Sequence, residues 1–215
     1  MSDTSSLIES ADTVDAEDAP VARKRPKPGE RRVQILQALA SMLEQPGGER
    51  ITTAALAARL GVSEAALYRH FASKAQMFEG LIEFIEQAVF ALVNKITTAS
   101  PEDGRQKVAR IVAMLLQFGE KNPGMARVMV GDALVYENER LQQRMNLFFD
   151  KVEATLRQTL REMAATSGSI SPTADAQVLA SVLTAFAVGR LQRFARSGFK
   201  RLPSEYLDAA LTRMV

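Results

Sequence analysis

The stretch from Ile51 to Lys74 leaves this chain few ways to fold. It reads Ile-Thr-Thr-Ala-Ala-Leu-Ala-Ala-Arg-Leu-Gly-Val-Ser-Glu-Ala-Ala-Leu-Tyr-Arg-His-Phe-Ala-Ser-Lys. Thr52 or Thr53 can cap a short helix by accepting from an orphan backbone N–H. That helix ends at Leu60, where Gly61 supplies the positive φ of a helix stop. Ser63 caps a second helix only two residues later. Helices joined so tightly cross steeply, and a steep crossing needs a small residue where they touch. Ala57, four residues before Gly61, falls at that point. Leu56, Leu60, Val62, Leu67 and Phe71 then share one core, and a preceding helix over 31–44 supplies its third wall. The pattern predicts a helix-turn-helix whose second helix, 63–70, is placed to enter a major groove.

Glu64, Ala65 and Ala66 stand at the N-terminal end of that second helix, where base edges are reached and short side chains permit close approach. Tyr68, Arg69, His70 and Lys74 supply donors for the phosphates around them. With Thr52, Thr53 and Ser63 at the two helix starts, they make up the candidate DNA-facing set. His70 is the only histidine, and no second His or Cys can join it on a metal. The run Leu67-Tyr68-Arg69-His70-Phe71 with Ser73-Lys74 resembles the DNA-binding signature of the TetR family of dimeric regulators. The resemblance implies a TetR-like fold with an N-terminal three-helix helix-turn-helix domain and a larger C-terminal helical dimerisation domain. It also implies a homodimer on palindromic double-stranded DNA.

Elsewhere apolar residues recur at helical spacing, in Ile35, Leu36, Leu39, Met42 and Leu43 and again over 78–96. No run alternates β-branched with polar residues over a strand length, so the fold class is all-α. The formal charge of +2 hides a segregation. Residues 1–20 hold six acids (Asp3, Glu9, Asp12, Asp15, Glu17, Asp18) and no base, whereas 21–215 carry all 27 bases against 19 acids, a net of +8. A basic body favours a polyanionic partner. Residues 1–28 read as a disordered acidic tail followed by a basic arm whose run, Arg23, Lys24, Arg25, Lys27, Arg31 and Arg32, is kept extended by Pro26 and Pro28 until a helix starts near Glu30. The arm is either a solvated linker or a contact for phosphates or a minor groove. The expected divisions are the tail and arm over 1–28, the helix-turn-helix domain over 29–74, and a helical dimerisation and partner-binding domain over 75–215. The absence of cysteine excludes disulfides and thiolate chemistry. The first residues lack the basic and apolar regions of a signal peptide. The apolar run 81–93 is broken by Glu83, Glu86 and Gln87, short of the ~20 residues of a membrane span. A cytoplasmic protein without metal or cofactor is expected.

Ser73 and Gln76 form a capping box for a long helix whose core stripe is Phe78, Leu81, Ile82, Ile85, Val89, Leu92, Val93 and Ile96. Met77 and Phe84 lie together roughly 100–120° from the centre of that stripe, on a flank that other helices cover or a partner meets. The blocks 77–78, 81–86, 118–124, 193–194, 196–197 and 199–200 resemble the nucleoid-occlusion branch of the TetR family, over about 30–205. This implies a nucleoid-associated inhibitor of cell division, activated by DNA, that binds the tubulin-like protein FtsZ and prevents Z-ring assembly over the nucleoid. Phe84 and Met77 would supply one part of the FtsZ contact, and Glu120, Lys121 and Asn122 another. The branch favours Arg where Lys121 stands, and a bidentate contact does not survive that exchange unchanged.

Geometry alone also explains the turn at 122–124, with Asn122 as an N-cap and Pro123 as the first residue of the next helix. Two long helices, 138–166 and 173–197, correspond to the pair with which the family builds a four-helix dimer interface. Leu179, Val182, Leu183, Phe186, Leu191 and Phe194 fit an apolar face that is core or interface. Arg190, Arg193 and Arg196 make a basic edge or a dock for an acidic peptide. Met114, Phe118, Met129, Leu134 and Phe148 could line a pocket, but the resemblance implies no small-molecule effector. Two rivals stand beside this reading. One is a repressor released from its operator by a ligand. The other is a hydrolase using Glu120 and Asp132, which lacks a nucleophile–base pair, phosphate loop or metal cluster.

Overall fold

Side-chain caps set the first helix boundaries. Thr52 Oγ1 accepts from the Ala55 N–H at 3.1 Å, Gly61 adopts φ 63°, and Ser63 Oγ accepts from the Ala66 N–H at 3.3 Å. These belong to a computed structural model that describes residues 29–45, 51–98, 103–167 and 172–215. The tail and arm expected over 1–28 lie outside the described residues. Regular structure among the described residues is entirely helical: α1 Glu30–Leu43, α2 Thr53–Leu60, α3 Glu64–Tyr68, α4 Lys74–Thr98, α5 Gly104–Lys121, α6 Pro123–Met129, a short 3₁₀ turn Asp132–Leu134, α7 Glu139–Ser167, α8 Pro172–Arg196 and α9 Leu207–Met214.

The groove-entering helix is shorter than the span 63–70 suggested. It ends at Tyr68 with Arg69 as its C-cap, and His70 sits in the turn beyond. Leu56, Ala57, Leu67 and Phe71 are buried with Ile35 and Leu39 of α1, which is the three-walled core foreseen from the spacing. The capping box at the start of α4 is present: Ser73 Oγ accepts from the Gln76 N–H at 3.2 Å and Gln76 Oε1 from the Ala72 N–H at 2.9 Å.

The body is a layered bundle in which α8 packs most extensively on α7, and α5 packs against both. The core runs from α1–α3 through Phe78, Leu81 and Ile85 to Leu183 and Leu191. α6 meets α1 at unusually close range: a Cβ on Gly124 would stand 2.0 Å from the Ala40 carbonyl oxygen, so only glycine fits. Beside it, Arg127 Nη1 donates to the Leu43 carbonyl at 3.2 Å, and Nε pairs with Asp132 at 2.6 Å. The three-helix unit is therefore keyed into the body at the C-terminal end of α1.

Three expectations about helix faces are corrected. Leu92, assigned to the core stripe, is 38% exposed, while the rest of that stripe is buried. Met77, offered with Phe84 as a partner contact on a flank left either covered or open, is fully buried. One turn beyond Met77, Leu36 and Phe71 stand within 3.3 Å of where a Cβ of Gly80 would be, so the three-helix unit covers this end of α4 and not Phe84 two turns on. α8, rather than the run 81–93, is by length and composition apolar enough to cross a bilayer, over Thr173–Arg196. It packs on α7 with Leu183, Leu191 and Phe194 buried, and leaves Val178 and Val182 open.

Candidate nucleic-acid interface

The exposed side of α2 and α3 carries a small hydrogen-bonded set. Thr53 Oγ1 donates to Glu64 Oε2 at 2.5 Å, and the Tyr68 hydroxyl donates weakly to Thr53 Oγ1 at 3.5 Å. Glu64 is thereby held at the N-terminal end of α3 as an oriented acceptor, which in a major groove suits the amino group of a cytosine. Ala65 is exposed beside it and Ala66 is half-buried, so nothing bulky keeps this end of α3 from a base edge. Thr52 and Ser63 accept from backbone N–H groups as caps, which leaves each hydroxyl proton free to donate to a phosphate.

Around this centre lie Tyr68, 45% exposed, with Arg69 and His70, also exposed. A residue outside the predicted set joins them. Arg32 of α1 donates from Nη1 to the His70 carbonyl at 2.8 Å and stacks 4.1 Å over the Phe71 ring. It fixes the turn after α3 and sets a cation beside it. Its sequence signal was its place at the end of the basic run that continues into the first turn of α1.

Lys74 behaves differently from the phosphate contact expected of it. Its ammonium pairs with Glu137 Oε1 at 2.5 Å and lies 5.7 Å from the Phe78 ring centroid, on the side of the body. Glu137, in the turn before α7, is the carboxylate that holds it. The structure thus links Thr53, Glu64 and Tyr68 by hydrogen bonds, leaves Arg69 and His70 exposed just after α3, and pairs Lys74 with Glu137.

The second predicted cluster is divided. Phe84 is 47% exposed on α4, and Lys121 is exposed at the end of α5. Glu120 instead accepts from the Ser204 N–H at 3.2 Å, in the segment before α9. Asn122 holds the N-cap position of α6 without capping it, and its amide donates to the Phe118 carbonyl at 2.8 Å, closing α5. Both are engaged in the turn's own architecture. Glu120 and Asp132, the pair considered for hydrolysis, are each taken by a different partner, Ser204 and Arg127. No group of acids, His or Cys that could hold a metal occurs among the described residues.

Along α4 and α7, Arg144 pairs with Glu86 at 2.6 Å and Arg140 with Glu79 at 2.6 Å. The hydrogen bond to Glu86 holds the Arg144 pKa above its ordinary value against the cost of burial, with added attraction from Glu86, Glu83 and Glu79. These pairs fix α7 on the side of α4 away from Phe84. The basic trio of α8 is split: Arg190 is spent on the carbonyls of Pro203 and Glu205 and on the Phe186 ring, while Arg193 and Arg196 are exposed. A cleft of about 510 Å³ opens between the 3₁₀ turn, α7 and α8, lined by Asp132, Gln142, Phe149 and Arg196 among others. Of the pocket residues foreseen, Met129 alone borders it; Leu134 and Phe148 are core.

Comparison with known proteins agrees with this geometry. Residues 35–81 match the family profile of bacterial regulatory proteins, tetR family. Residues 103–214 match the SlmA-like profile described as tetracyclin repressor-like, C-terminal domain. The chain is 51% identical over 178 residues to the nucleoid occlusion factor SlmA of Shewanella sediminis, covering 83% of this chain and 89% of that protein. It is 50% identical over 179 residues to SlmA of Vibrio cholerae, covering 83% and 90%. Among solved structures it resembles the transcriptional regulator FadR of Bacillus subtilis in complex with stearoyl-CoA, with a TM-score of 0.68 at 16% identity, covering 85% of this chain and 97% of that one. FadR of Bacillus halodurans gives 0.71 at 15%, covering 88% and 96%. At such identities the structures share the fold alone.

Proposed function

The chain belongs to the SlmA family of TetR-type DNA-binding proteins, and from that premise we propose that it is a DNA-activated inhibitor of cell division acting on FtsZ at the nucleoid. Two copies would pair across α7 and α8, each setting α3 into a major groove of a palindromic site. The open apolar face of that helix pair supports this pairing: Leu147 is 58%, Val178 66% and Val182 49% exposed. Ala185 continues the row, and at Gly189 a Cβ would meet nothing within 4 Å. An apolar stripe at i, i+4, i+7 and i+11 is what a second helix buries.

The observation that carries the FtsZ reading is Phe84. A ring 47% exposed on α4 stands in line with the exposed Ala91 and Leu92, one helical flank left without a covering element. Lys121 at the end of α5 adds a cation, and Glu120 and Asn122 serve by holding the turn that presents it. In this reading the α3 face takes DNA and the α4 flank takes FtsZ, so one dimer carries both at once. DNA binding raises the affinity for FtsZ or its productive geometry. Where DNA raises the affinity for FtsZ, linkage requires FtsZ to tighten binding to the specific duplex by the same factor.

The test is FtsZ sedimentation with the purified protein, with and without its specific duplex. The reading expects the pelleted FtsZ to change only when both protein and duplex are present, and Phe84→Ala to abolish that change while sparing DNA affinity. Unchanged sedimentation under all conditions removes the division role. A ligand-released repressor, for which the cleft beside Asp132 and Arg196 is the natural seat, would instead lose its duplex when an effector is added.

A further inference from the structure

We propose that the acidic segment of this chain, residues 1–20, is a built-in competitor of DNA that docks on the basic side of the α3 face when no duplex is bound. The proposal rests on the DNA-binding reading above. Its first support is charge. Six carboxylates and no base stand within 20 residues, joined to a remainder of net +8. In a tethered chain such a segment meets its own basic surface at an effective concentration set by the linker rather than by dilution.

The second support is where the tether begins. The described chain starts at Gly29, the N-cap of α1. Arg32, three residues on, bonds to the His70 carbonyl at 2.8 Å and stacks on Phe71. The segment therefore leaves the fold beside the C-terminal end of α3, next to Tyr68, Arg69 and His70. Glu9 and Asp18 are 20 and 11 residues from Gly29. At ~3.3–3.6 Å per residue at most, the intervening chain can span roughly 36–72 Å from the tether. α1 itself is about 21 Å long, so the α3 face lies within reach.

The third support is which cations are free. Lys74 is held by Glu137, Arg59 by Ser41 and Arg127 by Asp132. Arg69, exposed at the end of α3, and Arg31, at the start of α1, pair with no carboxylate among the described residues. Arg32 spends one guanidinium nitrogen on a carbonyl and stays exposed. Carboxylates spaced along the segment can occupy these cations as phosphates would, through charge-assisted hydrogen bonds. Because the same cations meet any duplex, the segment lowers affinity for specific and non-specific DNA by one common factor.

The chain contains no cysteine, so Ser10→Cys in the full-length protein gives a single attachment point for a nitroxide. The expected result without DNA is broadening of the backbone amide signals of residues 64–70, reversed by adding duplex. In the label-bearing protein with all six acids changed to Asn or Gln, that broadening is lost. Affinity for duplex at low salt then rises about tenfold, and the gain falls below about twofold near 0.3 M salt, where the screening length is roughly 5–6 Å. Broadening confined to another basic patch, such as Arg193 and Arg201, overturns the proposal. So does a neutralised variant that binds duplex no better than the parent at low salt, and either result leaves DNA binding itself standing. If neither form binds any duplex, the reading on which the proposal rests falls with it.

Discussion

Tyr68 shows how one side chain on the α3 face combines presentation with contact. Its ring is 45% exposed and its hydroxyl is poised over Thr53, which in turn holds Glu64. Tyr68→Ala is expected to weaken binding to every duplex by about 1 kcal/mol or more, the scale of a lost phosphate hydrogen bond. Affinities for a specific and a scrambled duplex measured side by side check this. A loss confined to the specific one would make Tyr68 a reader of bases. The caps and the glycine stop that frame this face were legible in the sequence because they are local features. The fate of Lys74 was not legible, since its partner Glu137 lies 63 positions away and no local pattern links the two. Met77 was misplaced for a related reason. Helical angle sets it beside Phe84, but which turns of α4 are roofed over depends on how α1 docks.

At the level of helices, the junction of α1 with α6 governs whether the head is held on the body. A Cβ at Gly124 would stand 2.0 Å from the Ala40 carbonyl oxygen, and backbone cannot swing aside as a side-chain tip does. Gly124→Ala is expected to cost about 1–3 kcal/mol, typical of overpacking, and to lower Tm in a thermal melt. Gly119 offers a milder comparison. Its added Cβ would meet Leu191 Cδ2 at 2.4 Å, and that methyl can rotate away. Gly119→Ala should therefore destabilise less than Gly124→Ala, and equal losses would contradict the interlock. Element types and most boundaries were legible, because α4, α5, α7 and α8 are long and strongly periodic. The turn at 122–124 was read correctly as a turn but with the wrong bond: Asn122 serves the end of α5 rather than the start of α6.

For the molecule as a whole, the row of Val178, Val182, Ala185 and Gly189 on α8 is an apolar stripe that one copy leaves uncovered. From sequence it merged with Leu183, Leu191 and Phe194, which are buried within the chain, because α8 is apolar around much of its circumference. Val182→Asp places a charge in the middle of the row and is expected to shift the protein from dimer to monomer in sedimentation velocity. Binding to a two-half-site duplex should fall by at least about tenfold while a single copy stays folded, since paired half-sites reward a paired protein. A variant that stays dimeric would move the interface elsewhere. One last property follows from the apolar interior that passes unbroken from Leu39 by way of Phe78 to Leu183. Head and trunk have no seam along which to come apart, so calorimetry should record one endotherm rather than two. A fragment excised at residue 74 would expose Phe71, Met77's former neighbours and the underside of α1 to water, and should remain unstructured. Exchanging the three-helix head for that of another protein would therefore demand a matching trunk.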